Sequence, residues 1–511
     1  MRRATILAAL VLAACSGKSS TSTDAGVDAG PKFFWSTATA AYQVEGGLDG
    51  TDWHQWEYQP DGGEFPADAG HIAHNDHADN GDDEFHKYET DFDLAKSLGT
   101  NAMRLSIEWA RIEPTEGHYD PDAIAHYHAV FKALRDRGIT PMVTLQHFSL
   151  PLWIHNCYQP DAGYGGWAGL DSDPLGGGGI VDRFARFAGD MAQEFGGEVD
   201  WWFTLNEPVV LMTATYVNPT SEQFPHEPFQ SDLTSPIDGV NFTLATRAAM
   251  NMIVAHAKAY DAIHARDTVD ADGDGVAARV SIAHHVRVFL PAGRDQASVN
   301  AAAQLQYVNN NLILNAMVKG DVDLNFDQKY DGPNEAQGRA DLKGRLDFLG
   351  LNYYSFSEIV PVSIANDAGV GITGFPMDGN DLGYPETDLG WPIYPQGMHD
   401  LVTELYQQYQ LPILITENGV ADSADSERAK FLVQHLLALQ QAQKEGVPVL
   451  GYTYWSLLDN FEWAKGFAPK FGLYHVDYAS GARTPTQGVA AYQAVIQAGG
   501  VTDAIKQQYD P

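Results

Sequence analysis

The sequence predicts an α/β fold, a single parallel (β/α)8 barrel, on three observations. Eight short apolar runs recur along the chain, helical stretches separate them, and polar or aromatic residues gather where the runs end. The runs are FFWSTATA (33–40), TNAMRLSI (100–107), PMVTLQH (141–147), DWWFTLN (200–206), RVSIAHH (279–285), LDFLGLNYY (346–354), PILITEN (412–418) and VLGYTYWS (449–456). They are continuously apolar rather than alternating, as strands buried on both faces must be. Between them, EFHKYETDFDLAKSLG (84–99) is amphipathic and stops at Gly99, and 180–196 and 427–446 read the same way. Two doubly wound domains would use the same elements. No linker divides the chain, however, so 32–511 reads as one TIM-type barrel with elaborated loops on one face.

The 511 residues are 44% hydrophobic, ample for a large core, and carry a net charge of −36. That charge argues against a nucleic-acid partner, whose backbone is met with Lys and Arg, and reads as a well-solvated surface. The N-terminus carries an address. MRR is followed by an apolar run at 4–14, too short to span a bilayer, and then by Leu-Ala-Ala-Cys ending at Cys15. This resembles a bacterial lipoprotein signal: residues 1–14 are removed and Cys15 becomes the acylated first residue. Residues 15–31 read as a flexible polar tether. The expected location is outside the cytoplasm, lipid-anchored at the cell envelope. Ser16 rather than Asp after the cysteine points to the outer membrane or cell surface. Cys157, the only other cysteine, reads as a packed thiol.

The fourth run ends in Asn206-Glu207-Pro208. Taken alone, this is a helix start, with Asn206 or Glu207 as N-cap and the proline in the first turn. Gln43, Arg104, His147, Asn352, Tyr354, Glu417 and Trp455 stand at or near the ends of other runs. In a parallel barrel those ends share one face, so Glu207 and Glu417 meet over the mouth although 210 residues apart.

TLNEP (204–208) and ITENG (415–419) are similar to the two signature stretches of glycoside hydrolase family one, the β-glucosidase and β-galactosidase family. FWSTATAAYQVEG (34–46), NAMRLSIEWARIEP (101–114), VTLQHFSLPLW (143–153), DFLGLNYYS (347–355) and GYTYWSLLDNFEWAKGF (451–467) extend the likeness over about 33–492. The resemblance implies a retaining, exo-acting β-glycosidase that removes terminal β-glucosyl residues from oligosaccharides or aryl and alkyl glycosides. That chemistry needs two carboxyl groups about 5–5.5 Å apart, one protonated and one ionised. By resemblance Glu207 is the acid/base and Glu417 the nucleophile, with Arg104 and Tyr354 beside it. Asn206 meets the sugar 2-hydroxyl, Gln43, His147, Asn352 and Glu462 serve the glycone subsite, Trp455 is its platform and Trp463 a neighbouring contact. The resemblance requires no cofactor or metal. A β-galactosidase or β-fucosidase of the same family, and a non-catalytic glycan-binding surface lipoprotein, are the alternatives.

Two departures stand out. Phe148 follows His147 where many members have Trp, and FPHEPF (224–229) lacks the glycine many relatives carry after the proline. Two stretches look metal-like. DADGDG (270–275) fits half a calcium loop through Asp270, Asp272 and Asp274, but its twelfth position is Ser281, so a polar turn is expected. His71, His74 and His77 read as a solvated loop at the pocket rim.

Overall fold

The computed structural model describes residues 33–510, except 59–70, 159–163, 171–178, 219–222, 228, 234–238, 333, 378, 379 and 381. The signal, the tether and Cys15 lie outside the described residues. Nine strands build the main sheet: β1 (Phe34–Ala38), β2 (Ala102–Ser106), β3 (Thr140–Gln146), β4 (Trp201–Asn206), β5 (Arg279–Pro291), β6 (Leu349–Ala365), β7 (Gly371–Pro376), β8 (Ile413–Asn418) and β9 (Val449–Trp455). Each of the eight expected runs overlaps one barrel strand, and β5 and β6 run on past theirs. The pairing β1–β2–β3–β4–β5–β6–β8–β9 is parallel throughout and closes through β9–β1, so the barrel has no free edge.

The helices follow from local chemistry. Glu84–Leu98 ends where Gly99 adopts φ 90°, a left-handed cap that a side chain would strain. Pro121–Asp136 opens on Asp120, whose carboxylate accepts the N–H groups of Asp122 and Ala123. Helices Gly179–Phe195 and Arg428–Lys444 lie within two residues of the boundaries read from the sequence. Apolar residues fill two layers. Ala102, Met142, Trp201, Phe203, Ala283, Phe348 and Leu414 form a compact cluster of strand residues, while the larger core lies between strands and helices. Burial on both faces explains why the runs read as continuously apolar.

The structure adds a feature the eight-run reading lacked. β5 and β6 continue beyond the barrel and pair from Val288–Phe356 to Pro291–Ile359. β7 then adds to β6 antiparallel, and the helix Gln296–Gln306 packs on this extension through Ala301, Ala302 and Leu305 against Ile359. The result is a wall on the side of the mouth where the helix Pro208–Tyr216 follows β4.

The ladder also slips where the site begins. Register shifts fall between Phe203 and Asn206 on β4, between Leu351 and Asn352 on β6, and between Ile415 and Asn418 on β8. Such irregularities break the two-residue alternation and re-aim side chains. They occur at the strand ends bearing Asn206, Asn352 and Glu417.

Candidate active site

A cavity of about 520 Å³ opens at these strand ends. Of the eleven residues expected in the site, His147, Asn206, Glu207, Tyr354, Glu417, Trp455, Glu462 and Trp463 line it. Arg104, Asn352 and Gln43 are not in that lining.

Arg104 organises one side. Its Nη1 donates to Glu417 Oε1, its Nη2 to Asn206 Oδ1 at 2.8 Å, and its Nε to Thr144 at 3.0 Å. Tyr354 donates to the other Glu417 oxygen at 2.7 Å. Both oxygens of this buried carboxylate are therefore satisfied, one by a full positive charge. Glu207 sits differently. Asn352 donates to its Oε1 at 2.8 Å, and no cation pairs with it among the described residues. Burial, then the charge of Glu417, push the Glu207 carboxyl well above the usual range. Two identical side chains are thus placed in opposite fields.

The helix-start reading of Asn206-Glu207-Pro208 is half of the answer. Glu207 does occupy the position before Pro208–Tyr216, with the proline in its first turn, but its φ is 44° and its side chain caps nothing. The left-handed backbone directs the carboxyl to Asn352 instead of to the helix N–H groups. Non-glycine residues held there carry about 1–3 kcal/mol of strain, which functional sites often retain.

Asn352 links the two halves: it donates to Glu207 and, at 3.2 Å, to Asn206, while Thr416 donates to its carbonyl at 2.6 Å. It serves as a bridge rather than a wall of the cavity. Asn206 Nδ2 donates to His147 Nε2 at 3.0 Å, leaving the proton on Nδ1. Burial, followed by Arg104, holds His147 well below its ordinary pKa, so it is neutral. Gln43 also sits behind the lining. Its amide donates to Asn460 Oδ1 and to the Phe461 carbonyl, holding the segment that presents Glu462. Three polar atoms at this end are shielded and unpartnered: Gln43 Oε1, His147 Nδ1 and Glu462 Oε2. Buried polar atoms without partners are uncommon and call for a ligand or solvent to complete them. Burial, then the Glu417 charge, raise Glu462 to about 8, so at neutral pH it is mostly a donor-bearing acid.

The aromatic residues form two groups. Trp455 packs with Ala38, Ala40, Ala421 and Phe471, and its ring faces His147 at 5.9 Å. Trp463 is stacked on Tyr42 and His147 and meets Phe148 edge-on at 5.1 Å. Phe148 thus fills the position after His147 by packing, at φ 72°, where an indole would add a donor.

One expectation is corrected. The His71–His77 loop is not uniformly solvated: His71 is buried on Trp56 at 3.6 Å and His77 stacks on Tyr58 at 4.1 Å, leaving His74 exposed. The rings that cover them come from positions 56 and 58, on a separate helix. Residues 270–275 form a turn in which Asp270 accepts the N–H groups of Gly273, Asp274 and Gly275, and Asp200 those of Ala271 and Asp272. Carboxylate oxygens of Asp200, Asp270 and Asp272 lie within 4.8 Å of one another, the only such grouping among the described residues. Cys157 is fully buried, as a packed thiol should be.

Sequence reading missed the far wall of the cavity, lined by Val209, Val210, Thr213, His285, Arg287 and Trp391 among others. The fifth apolar run stops at His285, and a register shift between Val286 and Val288 interrupts the alternation that would otherwise carry the face on to Arg287.

Comparison with known proteins agrees with this geometry. The model for glycosyl hydrolase family 1 matches residues 30–501. A β-galactosidase of Saccharolobus solfataricus is 30% identical over 93% of this chain and 96% of its own length, and β-glucosidase A of Thermotoga maritima is 31% identical over 92% and 98%. The crystal structure of the β-glycosidase from Thermosphaera aggregans superposes with a TM-score of 0.76 at 28% identity, covering 93% of this chain and 98% of that one. The barrel, its paired carboxylates and these relatives together establish that the chain belongs to glycosyl hydrolase family 1.

Proposed function

We propose that the protein is a retaining, exo-acting β-glycosidase with a preference for glucose, Glu207 serving as acid/base and Glu417 as nucleophile. The single observation that carries this reading is the opposed environment of the two carboxyls: Glu417 held by Arg104 and Tyr354, Glu207 buried, uncompensated and raised. In the first step the Glu417 carboxylate attacks the anomeric carbon. The bond to the leaving oxygen breaks, and that oxygen takes the proton from Glu207. The ester so formed neutralises Glu417, which removes its repulsion on Glu207. Glu207, now ionised, takes a proton from water as the water oxygen displaces Glu417. Net retention follows from two inversions. Asn206 is held by Arg104 and Asn352 in a fixed orientation suited to the sugar 2-hydroxyl. Glu462, His147 and Trp463 supply the remaining hydroxyl contacts, and Trp455 an apolar platform.

Glucose and galactose differ only at C4, and relatives named for each are almost equally similar. Release of nitrophenol from β-glucoside and β-galactoside substrates decides the preference. The roles are tested by Glu417→Gly: it should lose turnover and regain it with azide on an activated aryl glucoside, giving the α-azide. The β-azide would reverse the two assignments. A lipid anchor at Cys15 is part of the same reading. It is supported by the Leu-Ala-Ala-Cys motif and the polar segment after it. Cys15→Ser should release the enzyme from membranes, and a variant that stays membrane-bound after normal processing would sink the anchor.

A further inference from the structure

Arg287 stands on β5 in the far wall of the cavity, two residues after His285. Its Nε is shielded from solvent without a partner, and among the described residues its guanidinium makes no hydrogen bond or ion pair. It faces a ring instead: Cζ lies 5.9 Å from the centroid of Trp391. Several other buried and half-buried arginines have carboxylate partners. Arg104 pairs with Glu417, Arg111 with Glu45, Arg428 with Asp425 and Arg483 with Asp91. In a chain with 67 acidic and 31 basic residues, a half-buried guanidinium that faces a cavity and pairs with no carboxylate among the described residues is conspicuous. Burial lowers its pKa to about 10, so it remains a cation at neutral pH.

Its location decides what it serves. Arg287 is on the strand beside Glu207: Asn206 lies opposite Ala283 where β4 pairs with β5, the Glu207 N–H donates to the Ala283 carbonyl at 2.7 Å, and Arg287 follows four residues along β5 in the same cavity lining. Glu207 is the group that protonates the leaving oxygen, so Arg287 flanks the leaving group rather than the glycone. The walls around it are largely apolar: Val209 and Val210 from the helix after β4, Phe289 and Ile372 from the strand extension, and Val308 from the helical turn after Gln306. An apolar aglycone alone leaves the cation unpaired, and a neutral sugar leaves the walls unused. We propose that this wall is an aglycone subsite for an aryl carboxylate, the ring seated between the apolar walls and the carboxylate paired with Arg287. One guanidinium balances one negative charge, and its planar fork matches a carboxylate. A phosphate dianion would carry a second charge that one guanidinium does not balance. This proposal rests on the glycosidase reading above and names the leaving group of the same reaction.

The test uses β-glucosides of 3- and 4-hydroxybenzoate and of their methyl esters, with the full-length enzyme and Arg287→Met. Each acid is compared with its ester, and the acid-to-ester ratio in kcat/KM is compared between the two proteins, which cancels differences in leaving-group reactivity. For at least one isomer that ratio should fall tenfold or more in the variant. Calorimetry with the free hydroxybenzoates should show the acid binding the wild type at least tenfold more tightly than its ester, with the difference lost in Arg287→Met. Arg287→Gln serves if the methionine variant does not fold. Ratios and binding differences unchanged in the variant for both isomers overturn the proposal. Selective binding of the acid without turnover of any glucoside would retain the Arg287 subsite and refute the catalytic reading instead.

Discussion

Replacing Glu417 by Gln should lower the pKa of Glu207, and the size of the change follows from the arrangement of charges. At the separation that retention requires, about 5 Å, and with an effective dielectric of about 20, two carboxylates repel by about 3 kcal/mol, or about two pKa units. The amide removes that repulsion while keeping an acceptor for Tyr354. It also frees the Arg104 charge, which favours the Glu207 anion and adds in the same direction. Burial is the largest cause of the raised value and remains, so Glu207 should settle below its wild-type pKa yet above an ordinary glutamate. The assay is a pH titration by NMR of protein labelled at the glutamate side-chain carbonyl carbon, with Glu207→Gln assigning the resonance. A Glu207 titration that coincides in wild type and Glu417→Gln would refute the coupling, and with it the account of how one residue changes from acid to base.

Tyr354→Phe removes one hydrogen bond to a buried charge, worth about 1.5–3 kcal/mol, so kcat/KM on an aryl glucoside should fall about 10–100-fold with the fold intact by circular dichroism. Glu462 has a folded pKa raised to about 8, so its contribution to stability is present below the unfolded value near 4.5 and is lost as pH rises through about 8. The melting temperature of the wild type should therefore drop more between about pH 5 and pH 9 than that of Glu462→Gln. Glu462→Ser should narrow the preference for glucoside over xyloside, the outcome expected of a group that reads the 4- and 6-positions of the sugar; equal kcat/KM ratios in both proteins would remove Glu462 from that end of the sugar.

Most of the barrel was legible because its signals are local and redundant. Strands buried on both faces read as apolar runs, and Gly99 marks a helix end with a defined chemistry. The strand extension was not legible. Residues 355–359 are buried but mix Ser355, Ser357 and Glu358 with Phe356 and Ile359, and 360–365 are half-buried or exposed where they pair with β7, so neither continuous apolarity nor strict alternation distinguishes the extension. The histidine loop failed for a related reason. Trp56 and Tyr58 belong to a short helix, and nothing in the spacing of His71 and His77 says that those rings will cover them.

The site divides along the same line. Residues at the ends of parallel strands are brought together by the fold itself, so Arg104, Asn206, Glu207, Tyr354 and Glu417 could be placed from the order of the strands alone. Their fine aim could not, because it depends on three register shifts and on a left-handed backbone at Glu207. These irregularities interrupt regular pairing at the residues that must point into the cavity, and the regular barrel beneath them supplies the rigidity that holds them there. Gln43 and Asn352 show the consequence. Both stand at the expected strand ends, yet both act on neighbours: one holds the Glu462 segment, the other ties Asn206 to Glu207. The leaving-group wall lies outside that logic, since β5, β6 and β7 build it beyond the barrel. The features that select an aglycone can therefore vary without disturbing the strand ends that cleave the bond.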